Sequence, residues 1–179
     1  MLGFKSQPRP HLKKATHNEL RKLSKLLLTI LENKNSQVYQ DNVAKFGIPE
    51  DYAKNAFAEE KLLKAAATGK TTFYLALDCK EVAGFAQVTL QDDCIAELER
   101  IIVFPQYTRQ GVGTQLLREA IADQKQKGTK TMIVNAGKEE AHARRFYEKN
   151  GFKRIGEALI DAPWGKKLAL VTYQLDISA

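Results

Sequence analysis

The stretch from Ile95 to Thr114, Ile-Ala-Glu-Leu-Glu-Arg-Ile-Ile-Val-Phe-Pro-Gln-Tyr-Thr-Arg-Gln-Gly-Val-Gly-Thr, requires a strand that feeds a helix. A strand pattern runs through Phe104 and stops at Pro105, which has no N–H to give to a ladder. A short polar turn then leads to Gly111-Val112-Gly113, where an amphipathic helix opens. At such a junction the first N–H groups have no helical acceptor, and the positive end of the helix dipole points the same way. Glycine lacks a Cβ, so an anion can come close to the backbone. The segment reads as a phosphate cradle.

Its spacing is not that of the two best-known cradles. A P-loop needs Gly-Lys-Ser/Thr, and no Lys follows Gly113. A dinucleotide fingerprint needs a third glycine where Leu116 stands. The segment resembles the acetyl-CoA motif of the GNAT acetyltransferases, a strand ending in a Val-x-Pro-like kink followed by Gln/Arg-x-x-Gly-x-Gly/Ala. Val103-Phe104-Pro105 and Arg109-Gln110-Gly111-Val112-Gly113 carry the likeness. Thr108 departs from it, standing at the leading Gln/Arg position with Arg109 beside it.

A second motif lies downstream. Residues 140–152, Glu-Ala-His-Ala-Arg-Arg-Phe-Tyr-Glu-Lys-Asn-Gly-Phe, resemble the later helix of the same family, Asn-x-x-Ala-x-x-Phe-Tyr-x-x-x-Gly-Phe. Ala143, Phe146, Tyr147, Gly151 and Phe152 match, and Glu140 departs. The pattern also makes physical sense alone. Glu139 and Glu140 suit a helix start, Lys149 its end and Gly151 a left-handed cap. The resemblance covers roughly residues 70 to 177, and the first 60 or so carry no motif of like strength.

Composition bounds the rest. At 179 residues and 44% hydrophobic, the chain is expected to be a single domain, which the resemblance implies is an N-acetyltransferase domain. Residues 1–69 form its acceptor side and 70–177 its acetyl-CoA-binding core. No run approaches about 18 apolar residues, so no membrane span is expected. Met1 to Lys14 lacks an apolar leader core, and Cys79 and Cys94 fit free thiols in a reducing compartment, so the expected location is cytoplasmic. Those cysteines and His11, His17 and His142 form no metal-ligand spacing. The net charge is +7, and residues 1–40 hold eight Lys/Arg against two Glu. Nucleic acid is a disfavoured partner, because these cations fit the solvated face of a helix and no aromatics are interleaved for stacking.

Along the chain, a short strand near Leu12 precedes a capping box at Thr16–Glu19, with Leu20, Leu23, Leu27, Ile30 and Leu31 at helical spacing. Residues 33–40 read as a loop. A helix is predicted from Pro49 to about Thr68. Strands follow over 71–78, 81–90 and 94–104, then a helix over 111–127 and a strand over 130–135. The Phe146-Tyr147 helix and strands over 152–160 and 168–177 complete the order. This is an α/β fold: a mixed, mostly antiparallel central sheet flanked by helices. By the family resemblance, the parallel strands 96–104 and 130–135 splay apart and admit the pantetheine arm.

Amine acetylation needs a neutral amine close to the thioester, a stabilised oxyanion and a leaving thiolate. The resemblance implies direct attack in a ternary complex. Glu97 and Glu99 alternate with Leu98 and Arg100, so both carboxylates point to one sheet face. Glu97, 14 residues before Gly111, matches the family's glutamate base; pairing with nearby cations is the bland alternative. Tyr147 matches the tyrosine beside the CoA sulfur, against the alternative of a core tyrosine. Arg109, Gln110, Gly111, Val112, Gly113 and Thr114 are the expected pyrophosphate site. Ile102 and Val103 offer backbone to pantetheine. Asn135 either bonds the pantetheine amides or forms a turn.

Acetyl-CoA is thus the expected cosubstrate, with no metal. The expected acceptor is a primary amine of a small molecule, with a loose similarity to bacterial polyamine or diamine acetyltransferases. Asp92 and Asp93 add acidity near the site. Two alternatives stand beside it: a protein or peptide acetyltransferase, and a non-catalytic acyl-CoA-binding module. The family resemblance is also compatible with a homodimer.

Overall fold

A seven-stranded sheet in the order β1-β2-β3-β4-β5-β7-β6 organises the computed structural model, which describes residues 9–178. The strands are β1 (His11–Lys14), β2 (Thr71–Asp78), β3 (Glu81–Leu90), β4 (Ile95–Val103), β5 (Thr131–Gly137), β6 (Lys153–Asp161) and β7 (Lys167–Asp176). All neighbours are antiparallel except β4 and β5. The helices are α1 (His17–Glu32), α2 (Gln37–Asn42), α3 (Glu50–Phe57), α4 (Glu59–Ala67), α5 (Val112–Gln126) and α6 (Ala141–Lys149). The expected mixed sheet and flanking helices are therefore present. The reading of a leader-free start falls, for residues 1–8, outside the described part.

Helix α1 starts at the expected capping box. The Glu19 N–H donates to Thr16 Oγ1 at 3.3 Å, and the Thr16 N–H donates to Glu19 Oε2 at 2.8 Å. Its leucines lie over one sheet face with Phe57, Leu62, Phe73, Leu75, Phe85 and Ile102. The opposite face packs Val88, Leu98, Met132 and Val134 against Val112, Leu116 and Leu117 of α5. The middles of β2 and β3 are buried on both faces, which is why they read as nearly unbroken apolar runs.

Three details differ from the sequence reading. Residues 33–40 are not all loop: Ser36 accepts from the Tyr39 N–H at 3.2 Å and caps α2, which buries Val38. The helix expected from Pro49 to Thr68 breaks at Ala58, whose ψ of 141° is extended. The buried Ser24 hydroxyl donates to the Phe57 carbonyl at 2.7 Å there, a tertiary bond that no local signal announces. Third, β4 carries a bulge. Gln87 faces Arg100 and Val88 faces Leu98, so Glu99 has no cross-strand partner. The strict alternation of Glu97 and Glu99 against Leu98 and Arg100 ends at this point. Arg100 joins the face of the two glutamates and stacks over the Phe57 ring.

The bulge also bears on the parallel pair. β4 and β5 share only three partner pairs, Ile95–Thr131, Ala96–Met132 and Glu97–Ile133. Beyond them β4 stays with β3 as far as Val103, and β5 stays with β7 as far as Gly137. A bulge bends its strand and increases its twist, so the parting begins beside Glu99. From Leu98 onward one edge of β4 has no strand beside it.

Candidate active site

A cleft of about 580 Å3 opens where the strands part. Its floor is Ile101, Ile102 and Val103 of β4. Ala141, His142, Ala143, Phe146 and Tyr147 of α6 form one wall, and Val38, Asp41 and Asn42 of α2 with Lys45 form another. Thr108 and Gly113 line its far end.

Backbone geometry shapes that end. After Val103 the chain turns through a 3-10 segment, Pro105–Tyr107, and enters α5 at Gly111. Arg109 and Gly111 both have left-handed φ, 60° and 77°. No side chain caps α5, so its first-turn N–H groups remain available to an anion. The Val112 side chain is in the core, so only its backbone can serve a ligand. A Cβ on Gly113 would lie 3.5 Å from the Phe146 ring and 3.6 Å from Val103, an ordinary contact that would narrow the cleft. The Gln110 side chain donates to the Gln106 carbonyl at 3.0 Å and steadies the turn.

Tyr147 lines the middle of the cleft. It is 7% exposed, packed edge-on to Phe146 and Phe152. Its hydroxyl has no hydrogen-bond partner among the described residues. Burial raises its pKa, and the nearby Glu140 charge adds to this. The phenol therefore stays protonated across the working range, and its proton is uncommitted.

On the sheet face covered in part by α1–α4, a polar chain links β3, β4, β5 and β7. Glu97 accepts from Gln91 Nε2 at 2.9 Å and from Asn135 Nδ2 at 3.2 Å. Thr172 Oγ1 donates to Asn135 Oδ1 at 2.7 Å. Glu99 Oε2 accepts from Gln87 Nε2 at 2.6 Å. Asp92 is a turn former: Oδ1 accepts from the N–H groups of Cys94 and Ile95 at 2.7 and 2.8 Å. A strap borders this side, where Trp164 of the β6–β7 loop packs on Tyr52 and its Nε1 donates to the Phe46 carbonyl at 3.3 Å.

Residues 69–154 match the acetyltransferase (GNAT) domain. That stretch, just under half of the chain, is what carries the GNAT likeness. Among relatives, an uncharacterized N-acetyltransferase of Methanocaldococcus jannaschii is 27% identical over 95 residues, which cover 53% of this chain and 40% of that protein. The chain thus spans well under half the length of that relative. Two solved structures share the fold. A GCN5-related N-acetyltransferase from Rhodopseudomonas palustris aligns with a TM-score of 0.70 at 21% identity, covering 97% of this chain and 99% of that one. The PaiA N-acetyltransferase of Thermoplasma acidophilum, solved with coenzyme A, aligns with a TM-score of 0.67 at 22% identity, covering 90% and 96%.

The expected site residues fall into two groups. Ile102, Val103, Gly113 and Tyr147 line the cleft, and Arg109, Gln110, Gly111, Val112 and Thr114 form the turn and helix start at its end. Glu97, Glu99 and Asn135 stand together on the polar face, where the Asn135 side chain holds Glu97 and Thr172. The two departures from the GNAT motifs have local work. Glu140 Oε2 accepts from the Gly137 N–H at 2.8 Å and Thr108 Oγ1 donates to the Pro105 carbonyl at 2.9 Å. Sequence reasoning missed Gln87, Gln91 and the α2 wall. Gln87-x-Thr89-x-Gln91 alternates beside β4, a pattern that aligning the two strands would have exposed.

Among the described residues no group of three or more His, Cys, Asp or Glu could hold a metal ion. Cys79 and Cys94 are free and exposed. Among the described residues no helix is long and apolar enough to cross a membrane.

Proposed function

We propose that this chain is an acetyl-CoA-dependent N-acetyltransferase that acetylates a primary amine of a small molecule by direct attack in a ternary complex. The observation that carries this reading is the cleft along the free edge of β4, with the uncapped start of α5 at its end and Tyr147 in its lining. The GNAT domain match over residues 69–154 and the coenzyme A held by the Thermoplasma acidophilum structural neighbour support it. The pyrophosphate sits on the first-turn amides of α5 with Arg109 beside it, and the pantetheine arm bonds the unpaired backbone of Ile101–Val103.

The chain's residues then divide the proton work. The amine nitrogen forms a bond to the thioester carbon, and its excess proton passes to Glu97, directly or through one water. Gln91 and Asn135 hold that carboxylate in place. As the carbon–sulfur bond breaks, Tyr147 gives its proton to the thiolate and regains one from solvent. Glu99 faces the acceptor from the next position. Residues 1–69 supply the acceptor side and 70–177 the cosubstrate core of one working unit. The strap between Trp164 and Phe46 favours a small acceptor over a folded protein surface.

The test is acetyl-CoA with an amine panel, followed by thiol release, alongside direct acetyl-CoA binding. Amine-dependent thiol release supports the reading. Binding without turnover on any amine makes the chain an acyl-CoA-binding module, and absence of binding removes the cleft assignment.

A further inference from the structure

Arg100 is the charged residue of the acceptor face that the transfer chemistry leaves unused. The bulge at Glu99 turns it toward the α1–α4 side, where its guanidinium lies 4.9 Å over the Phe57 ring. Glu99 is the one charge that acts on it, and no carboxylate among the described residues forms an ion pair with it. Glu99 is held elsewhere, by Gln87 Nε2 at 2.6 Å. Gln87 is the cross-strand partner of Arg100, is 6% exposed, and its Oε1 has no hydrogen-bond partner among the described residues. The Nε2 bond to Glu99 fixes which way that amide points, so the unpaired atom is the oxygen.

A half-buried guanidinium without an anion therefore stands beside a buried carbonyl without a donor. Each is costly alone, and one ligand resolves both. A planar guanidinium matches a carboxylate with two parallel bonds and still has a third N–H edge to spare. Gln87 Oε1 can take that third edge once the guanidinium turns from Phe57.

We propose that Arg100, braced by Gln87, is the specificity residue for the acceptor, and that the acceptor is an amine bearing a carboxylate, an amino acid. Its carboxylate pairs with Arg100 while its amine meets Glu97. A polyamine, by contrast, would bring like charge against Arg100. This inference rests on the transferase reading and deepens it.

The experiment uses matched pairs, amino acids and their carboxamides. Each is followed by thiol release with acetyl-CoA and by calorimetric binding to the CoA-loaded protein. The wild type is expected to prefer the carboxylate at least tenfold in kcat/KM, mainly through KM. R100Q is expected to bring each carboxylate down to the level of its carboxamide, and Q87L to lower the preference in part. Thermal melting checks folding. If R100Q does not fold, R100M keeps the stem over Phe57 and carries the same test. Equal use of both members of a pair, a preference for polyamines, or a preference that survives at R100Q overturns the proposal. If no amine is acetylated, the transferase reading fails, while the binding arm still decides this one: carboxylates that bind no better than carboxamides, or not at all, overturn it.

Discussion

On the α5–α6 face the groups proposed to meet a ligand come from the backbone: the uncapped amides of α5, the free edge of β4 and Gly113 at the far end of the cleft. On the α1–α4 face they are side chains drawn from distant strands, with Glu97 held by Gln91 and Asn135 and Glu99 held by Gln87. One face offers generic recognition of a phosphate and an extended arm. The other offers a pattern of charges. A backbone-built site tolerates drift in side chains, whereas a side-chain site changes with each substitution, so the acceptor half is where relatives of one fold can part.

Exchanging the proposed acceptor-side base breaks this contrast most sharply. Glu97→Gln is expected to lower kcat by about 10²- to 10⁴-fold, with acetyl-CoA affinity nearly intact. Steady-state kinetics with direct binding measures both. If affinity falls as far as kcat, the two faces are not separable.

Tyr147→Phe tests the cleft side. A loss of about ten- to a hundredfold in kcat is expected, again with small change in affinity. Because burial raises the pKa of this phenol, the wild-type rate should not fall as pH rises through the ordinary phenol range near about 10. A decline there, absent in Tyr147→Phe, would mean the hydroxyl ionises as an exposed one does.

Gly111→Val is expected to weaken CoA binding about tenfold. No atom crowds a Cβ there within 3.4 Å, so the cause would be the left-handed φ of 77°, worth about 1–2 kcal/mol against a branched residue. Calorimetry of CoA binding checks this, and Gly113→Ala, which has ordinary space, should lose less.

The smallest effect on activity belongs to Asp123, away from the cleft. Burial raises its pKa and is the largest influence, but it is outweighed by bonds from Lys127, Lys14 and Tyr74, which together hold the carboxyl at about 2. Its folded pKa lies below the unfolded value near 3.8, so its stabilisation is present above about pH 4 and fades as pH falls toward 2. Thermal melts from pH 7 to 2 should show Asp123→Asn less stable by a few degrees at neutral pH, the gap closing on acidification. Its kcat should match the parent.

The same contrast explains what was legible in the chain. The cradle is written in contiguous residues, Pro105 to Gly113, because local backbone geometry makes it, and the α6 motif is likewise local. Strand and helix limits followed from apolar periodicity and from the Thr16 cap. The break at Ala58 depends on a bond from Ser24, and the bulge at Glu99 on a register slip across β3. Neither has a local signature. Hence Glu97 and Glu99 were readable as neighbours on a face, while Gln87 and the turn of Arg100 onto that face were not.

Three pairs of residues join β4 to β5, so the sheet is mechanically two half-sheets hinged at one end. An extended ligand arm lying in the gap would complete the missing courses of the sheet. Its binding would therefore appear as a change in the whole molecule's rigidity, beyond mere occupancy of a cleft. Saturation at a hundred times Kd adds about 2.7 kcal/mol to the unfolding free energy. The amides along the open edge from Leu98 to Val103 would pass from fast to slow exchange with solvent. A protein of this design is most cooperative when loaded, and the supply of its ligand would set its lifetime as well as its rate.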